Sequence, residues 1–292
     1  MNVGWIGTGK LGLPMAARIA ASGVGVRAYV RNPARVEAIR AHHVVCVTLG
    51  EMAAQDIVFS SLPNDDALRQ VAKELIPALR PGGTLVETST VSSTVSAEIG
   101  EELAAQGVTY LRAPVSGNPI AAEAGELTAI VSGPKDAFEV IRPLIASYSH
   151  AQFWVGEGEQ ARYAKLAVNL MLAVSAGMLG EALALGRCGQ VATADLLDVI
   201  AASALGSPMV VGKVGFLKAE DYTPTFSGHQ MAKDLDLILS AANATGVAAP
   251  LAAFMRTQFA AMRARGEIDE DFIAVVKVPQ RLAGLGDPGV PS

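Results

Sequence analysis

An α/β domain built on a parallel sheet, followed by an all-helical domain, is the fold class this sequence predicts. Three observations point there. In the first half, short apolar runs alternate with helical stretches, the pattern of βαβ units. After about Gly158 the chain shows helical periodicity and no convincing strand. The length of 292 residues suits two domains of about 150 residues each.

The first apolar run, Val3–Ile6, is a strand that ends in a glycine turn and an Ala-rich helix over residues 11–21. Residues 26–30 form the second strand. Asn32-Pro33 opens the next helix, because proline's fixed φ suits a first turn. Residues 56–62 read as a buried strand, closed by Pro63-Asn64-Asp65-Asp66. Arg80-Pro81-Gly82-Gly83 turns into the strand Thr84–Glu87, and residues 108–111 and 127–131 complete the set. Residues 160–187 form a helix long enough to join two domains. Further helices are predicted over 194–202, 231–245, 248–265 and 272–282. The Gly- and Pro-rich tail, 284–292, is expected to fray. The expected domains are 1–158 and 159–292.

Composition narrows the function. The chain is 51% hydrophobic and 17% charged, which excludes a disordered chain. Lys+Arg 23 against Asp+Glu 28 gives a net charge of −5, the wrong sign for a nucleic-acid surface. Two cysteines, Cys46 and Cys188, make no disulfide framework, and a cytoplasmic location is the expectation. The N-terminal residues lack the basic start of an export signal. Residues 166–185 are the most apolar stretch, but Asn169, Glu181 and the preceding Lys165 argue for a buried helix rather than a membrane span.

Gly7-Thr8-Gly9-Lys10-Leu11-Gly12 fits G-x-G-x-x-G directly after a strand and at the start of a helix, the context a dinucleotide-binding Rossmann domain requires. The first glycine permits the tight turn, the second admits the pyrophosphate, and the third allows close helix packing. The helix N-terminus offers free N–H groups to the anion. The second strand ends at Val30-Arg31-Asn32. Where an NAD site carries a carboxylate for the ribose, Arg31 stands, with Arg35 one turn on and no carboxylate from Ala28 to Val36. A guanidinium binds a 2′-phosphate that a carboxylate would repel. The cofactor expected is therefore NADP (NADPH).

Four blocks in order then resemble the β-hydroxyacid dehydrogenase family, which includes 3-hydroxyisobutyrate dehydrogenases and tartronate-semialdehyde and glyoxylate/succinic-semialdehyde reductases. They are Gly7-Thr8-Gly9-Lys10-Leu11-Gly12-Leu13-Pro14-Met15-Ala16; Ala113-Pro114-Val115-Ser116-Gly117 with Ala124-Gly125-Glu126-Leu127; Gly156-Glu157-Gly158 with Lys165 and Asn169; and Met231-Ala232-Lys233-Asp234-Leu235. The resemblance covers nearly the whole chain. It implies that Ser116 and Gly117 hold a substrate carboxylate, Lys165 donates and accepts the proton, and Asn169 binds the reacting group. It places Lys233 over the cofactor and Leu62, Pro63, Asn64 and Thr90 in the loops lining it. It also implies a small acid bearing a carbonyl or hydroxyl as substrate, and a homodimer or homotetramer.

The residues themselves support part of this. Lys165 and Asn169 are four apart, so a helix puts them on one face. A lysine on an apolar helix needs a partner, water or a lost charge, and such a group can serve as a proton donor near neutrality. Ser116-Gly117 follows a strand, where α/β sheets usually place ligand contacts. His42, His43, His150 and His229 have no metal-ligand spacing, and no metal site is expected.

Arg112, Asn118-Pro119 and Val168 depart from the family pattern, so the exact substrate does not transfer by analogy. Asn118 either bonds the substrate or holds its loop. Two rival readings are an imine reductase, which generally lacks the lysine, and a cofactor-binding scaffold without turnover. A 6-phosphogluconate dehydrogenase is related, but the chain is short for one and lacks a basic cluster for a sugar phosphate.

Overall fold

The computed structural model describes residues 2–286; Met1 and residues 287–292, including most of the tail expected to fray, lie outside the described residues. The chain divides into two compact units, Met1–Lys165 and Leu166–Ser292.

The first unit runs β1 (Val3–Ile6), α1 (Gly12–Ala21), β2 (Val26–Tyr29), α2 (Val36–Arg40), β3 (Val45–Val47), α3 (Leu49–Met52), β4 (Ile57–Ser60), α4 (Asp65–Leu75), β5 (Thr84–Glu87), α5 (Ser93–Ala105) and β6 (Thr109–Arg112). These strands form one sheet in the order β3-β2-β1-β4-β5-β6, parallel throughout. The order reverses beside β1, and ligands of such sheets bind at the carboxyl ends of the strands at that point. A second sheet, β7 (Val115–Ser116), β8 (Leu127–Val131) and β9 (Ser149–Trp154), follows with α6 (Pro119–Ala124) and α7 (Lys135–Ala146).

Both faces of the six-stranded sheet are covered, and the period-two alternation of strands sorts the side chains. Trp5, Phe59, Val86 and Leu111 fall in one core with Met15 and Ile19 of α1. Ile6, Val58, Leu85 and Tyr110 fall in the other, with Leu68, Leu75, Ile99 and Leu103. Trp5 stacks on Phe59 at 5.2 Å and meets the edge of Tyr148 at 6.4 Å.

The second unit is helical among its described residues. The long helix α8 (Gln160–Cys188) leads into it. It is followed by α9 (Thr193–Ala202), α10 (Pro208–Lys218), α11 (Gly228–Thr245), α12 (Pro250–Ala264) and α13 (Lys277–Leu282). By length and composition alone α8 is apolar enough to cross a membrane. It nevertheless buries Leu166, Ala173, Ala176, Leu179 and Leu183 against Met231, Leu235, Phe259 and other helical side chains, as a core helix does.

Several boundaries differ from those the sequence predicts. α11 begins at Gly228 rather than Met231, because Ser227 and Gln230 close a capping box ahead of it. The expected helix over 272–282 is a 3-10 turn, Phe272–Val276, followed by α13. Asp271 accepts from the Ile273 N–H at 3.2 Å to start that turn. His150 lies in β9, a strand that the sequence reading does not include.

Candidate active site

The glycine turn has a distinct reason at each glycine. Gly7 adopts φ +89, and a Cβ there would overlap the Ser61 carbonyl. A Cβ on Gly12 would overlap the Gly7 carbonyl and stand 3.0 Å from Trp5 Nε1. Gly9 has open space where its Cβ would stand. Two glycines are thus demanded by the fold and one leaves room for a ligand, so the turn fits a dinucleotide. Gly12→Ala is expected to lose about 1–3 kcal/mol of stability by overpacking along with cofactor binding. Gly9→Ala is expected to keep the melting temperature of the free protein while weakening cofactor binding. Thermal melts paired with cofactor titrations separate the two.

The turn lies at the carboxyl end of β1, beside the ends of β2 and β4, with β5 next beyond β4. Arg31 and Asn32 follow β2, and both are exposed. Asn32 accepts from the Ala34 N–H at 3.0 Å and caps the next turn. Leu62, Pro63 and Asn64 follow β4; Asn64 caps α4 by accepting from the Ala67 N–H at 2.9 Å. Thr90 follows β5 and is half-buried. The β4 and β5 loops are tied together where the Leu62 N–H donates to Ser89 Oγ at 2.6 Å. A groove of ≈ 670 Å³ beside the turn brings Gly9, Lys10 and Arg35 together with His42 and His43; Arg31 and Asn32 are not in its lining. Thr8 and Leu11 complete the turn, the first buried and the second half-buried.

Ser116 closes β7 and is half-buried. Gly117 adopts φ +136, and a Cβ would stand 2.5 Å from Leu127 Cδ2, so this position requires glycine. Asn118 accepts from the Ala121 N–H at 2.9 Å, and Pro119 takes the first turn of α6. The Asn118-Pro119 departure is therefore a helix start, and the asparagine's carbonyl holds the loop. Arg112 is likewise explained: its Nε donates to Glu159 at 2.8 Å, and its guanidinium lies 4.3 Å from the Tyr110 ring centre.

Lys165 and Asn169 are both buried on α8, at 8% and 2% exposure. Asn169 Nδ2 donates to Asp234 Oδ2 at 2.6 Å, and Lys233 Nζ lies 2.8 Å from Asp234 Oδ1. Asp234, on α11, is thus a hub for two candidate site residues. In the sequence Lys233-Asp234 reads equally well as a solvated pair. His229, near the start of the same helix, lies 3.3 Å from Arg263 Nη2 through its Nδ1.

A second network was not legible. Arg162, one turn ahead of Lys165, is 1% exposed, and Glu87 at the end of β5 is fully buried. Arg162 Nη2 stands 2.6 Å from Glu87 Oε2. Burial works against the charge on Arg162, but Glu87, then Tyr110 and Glu159, hold its pKa above the ordinary guanidinium value. Burial also pushes the Tyr110 hydroxyl up, against the opposing influence of Arg162, so Tyr110 stays neutral.

Residues 2–156 match the NAD binding domain of 6-phosphogluconate dehydrogenase. Residues 159–279 match the domain described as NAD-binding of NADP-dependent 3-hydroxyisobutyrate dehydrogenase. The chain is similar to 2-(hydroxymethyl)glutarate dehydrogenase of Eubacterium barkeri, 31% identical over 99% of this chain and 98% of that one. It is 30% identical to L-threonate dehydrogenase of Cupriavidus necator, again over 99% and 98%. The solved structure of Mycobacterium tuberculosis 3-hydroxyisobutyrate dehydrogenase with L-serine superposes with a TM-score of 0.86 at 28% identity, covering 95% of this chain and 98% of that one.

Proposed function

Because this chain belongs to the β-hydroxyacid dehydrogenase family and is an NAD(P)-dependent dehydrogenase, we propose that it is NADP-dependent and exchanges a hydride with a small carboxylate-bearing substrate. That substrate is a hydroxy acid in one direction and an aldehyde or keto acid in the other. The pairing of a buried Lys165 with a buried Asn169 one turn on carries this reading.

Lys165 is assigned the proton. A buried ammonium is costly unless it has a partner, and it can pass a proton to an oxygen that gains negative charge during reduction. In the reverse direction the neutral amine accepts it. Asn169, held by Asp234, orients the reacting oxygen. Ser116 and the Gly117 N–H bind the substrate carboxylate. Gly7, Thr8, Gly9, Lys10, Leu11 and Gly12 hold the pyrophosphate, where donors at the start of α1 suit an anion. Arg31, Asn32 and Arg35 favour the 2′-phosphate, and Leu62, Pro63, Asn64, Thr90 and Lys233 complete the cofactor contacts. Residues 1–158 are the dinucleotide-binding domain, and 159–292 the substrate and dimerisation domain.

A homodimer or homotetramer in the cytoplasm completes the proposal. Met171, Met178 and Leu185, seven residues apart along α8, are 72%, 59% and 77% exposed. An apolar stripe at that spacing invites a second helix.

The test follows NADPH and NADH oxidation against glyoxylate, succinic semialdehyde, tartronate semialdehyde and a cyclic imine. An acid carbonyl is expected to turn over, with NADPH favoured by about tenfold or more, equal to about 1.4 kcal/mol. Preference for NADH would remove the role given to Arg31. Turnover of the imine alone would move the chain to the imine reductases, and cofactor binding without any turnover would favour a scaffold.

A further inference from the structure

We propose that Arg162 is a positioning residue, holding the first turn of α8, and with it Lys165, against the loop that carries Thr90 through its buried pair with Glu87. The inference rests on the proton-transfer role proposed for Lys165. Every group in it belongs to the first unit.

The guanidinium makes four contacts on three pieces of chain: the end of β5 with the loop after it, α5 and β6. Nη2 meets Glu87 Oε2 at 2.6 Å at the end of β5. Nη1 donates to the Ser89 carbonyl at 2.8 Å. Nε donates to Ser96 Oγ at 3.1 Å on α5, and Nη2 also donates to Tyr110 Oη at 3.1 Å on β6. Glu87 turns back to accept from the Ser89 N–H at 2.9 Å. Ser89 is therefore held at its N–H by Glu87, at its carbonyl by Arg162, and at its hydroxyl by Leu62. Thr90 is the next residue. Three residues after Arg162 on the same helix stands Lys165.

A second tie lies just before it. Glu159 accepts from Arg112, so the chain entering α8 is fastened at two points three residues apart. The segment ahead of both contains Gly156, at φ +144, and supplies little rigidity of its own. Stability alone gives a weak reason for burying these charges, since well-packed apolar replacements of a buried ion pair are often neutral or better. Directional contacts to several elements at once give a stronger one: they place a reacting group to within the tolerance catalysis needs.

The decisive variant is Glu87→Leu combined with Arg162→Met. It removes one charge of each sign and leaves apolar side chains to pack together. We expect a cooperative melt, an NADPH Kd within about threefold of wild type, and a kcat lower by about 20-fold or more with a smaller change in substrate KM. Arg162→Lys, which keeps the charge but not the fork, is expected to recover part of the kcat. A second readout needs no turnover: acylation of Lys165, mapped by mass spectrometry, should change by about fivefold through local loosening, while Lys213 and Lys277 keep their rates.

A kcat within about threefold of wild type, with Lys165 acylation unmoved, overturns the proposal. If wild type reduces none of the substrates but Lys165 acylation still shifts selectively, the positioning role stands and the reductase reading falls. Should the double variant lose its cooperative melt, Arg162→Lys decides by the same two readouts, unchanged values again overturning the proposal.

Discussion

Lys165→Ala lowers turnover by about 10²–10⁴-fold, the usual contribution of a positioned proton donor, while NADP(H) binds within about threefold of wild type. The expectation follows from burial and placement together. Lys165 is 8% exposed on α8, and water entering the space that alanine leaves is a far weaker acid than an ammonium held in place. Lys165→Arg is equally informative. It keeps the positive charge, yet a guanidinium does not give up its proton in a protein, so it is expected to remain inactive. Steady-state kinetics with parallel cofactor titrations make the measurement. An active arginine variant would mean that charge alone suffices, and an alanine variant with unchanged kcat would remove Lys165 from the chemistry altogether.

Asp234→Asn comes second. The carboxylate is 1% exposed and accepts from Asn169 at 2.6 Å while meeting Lys233 at 2.8 Å. An amide in its place turns one acceptor into a donor. The single remaining oxygen can serve only one neighbour: turned to Asn169 it sets the new NH2 against the Lys233 ammonium, and turned to Lys233 it sets two N–H donors face to face, at a cost of about 1–3 kcal/mol either way. Misplacing Asn169 by even a fraction of its contact distance is expected to lower kcat/KM by roughly 10–100-fold. A double-mutant cycle with Asn169→Ala reads the coupling directly. Once Asn169 is gone, Asp234→Asn should cost little further activity; fully additive losses would show that the two act separately.

How far the sequence reached depends on the range of the interaction. The glycine turn was legible because its whole logic is contained in six residues, and the structure gives Gly7, Gly9 and Gly12 different reasons to be glycine. The helical face shared by Lys165 and Asn169 was legible for the same reason. Asn118 was ambiguous until its side chain was seen to cap α6. Arg112 departs from the family pattern in sequence, and its partner Glu159, 47 positions on, gives it a structural role that no local pattern encodes. β3 and β7 are only three and two residues long, and β9, though six residues long, mixes polar and apolar residues without a buried run; pairing decides all three more than composition does. α10 carries Gly212 and Gly215 within a valine-rich run, a weak local signal for a helix that packing overrides.

By itself the sequence determined the parallel α/β half, the helical half, the nucleotide turn and a lysine and asparagine on one helical face, because each depends on residues within a few positions of one another. Only the tertiary structure decided that Asp234 holds Asn169 and that Arg162 is locked to Glu87. Those partners stand 65 and 75 positions apart in the chain, and no local periodicity encodes a contact that exists only once β5, β6 and α5 have closed around a buried charge.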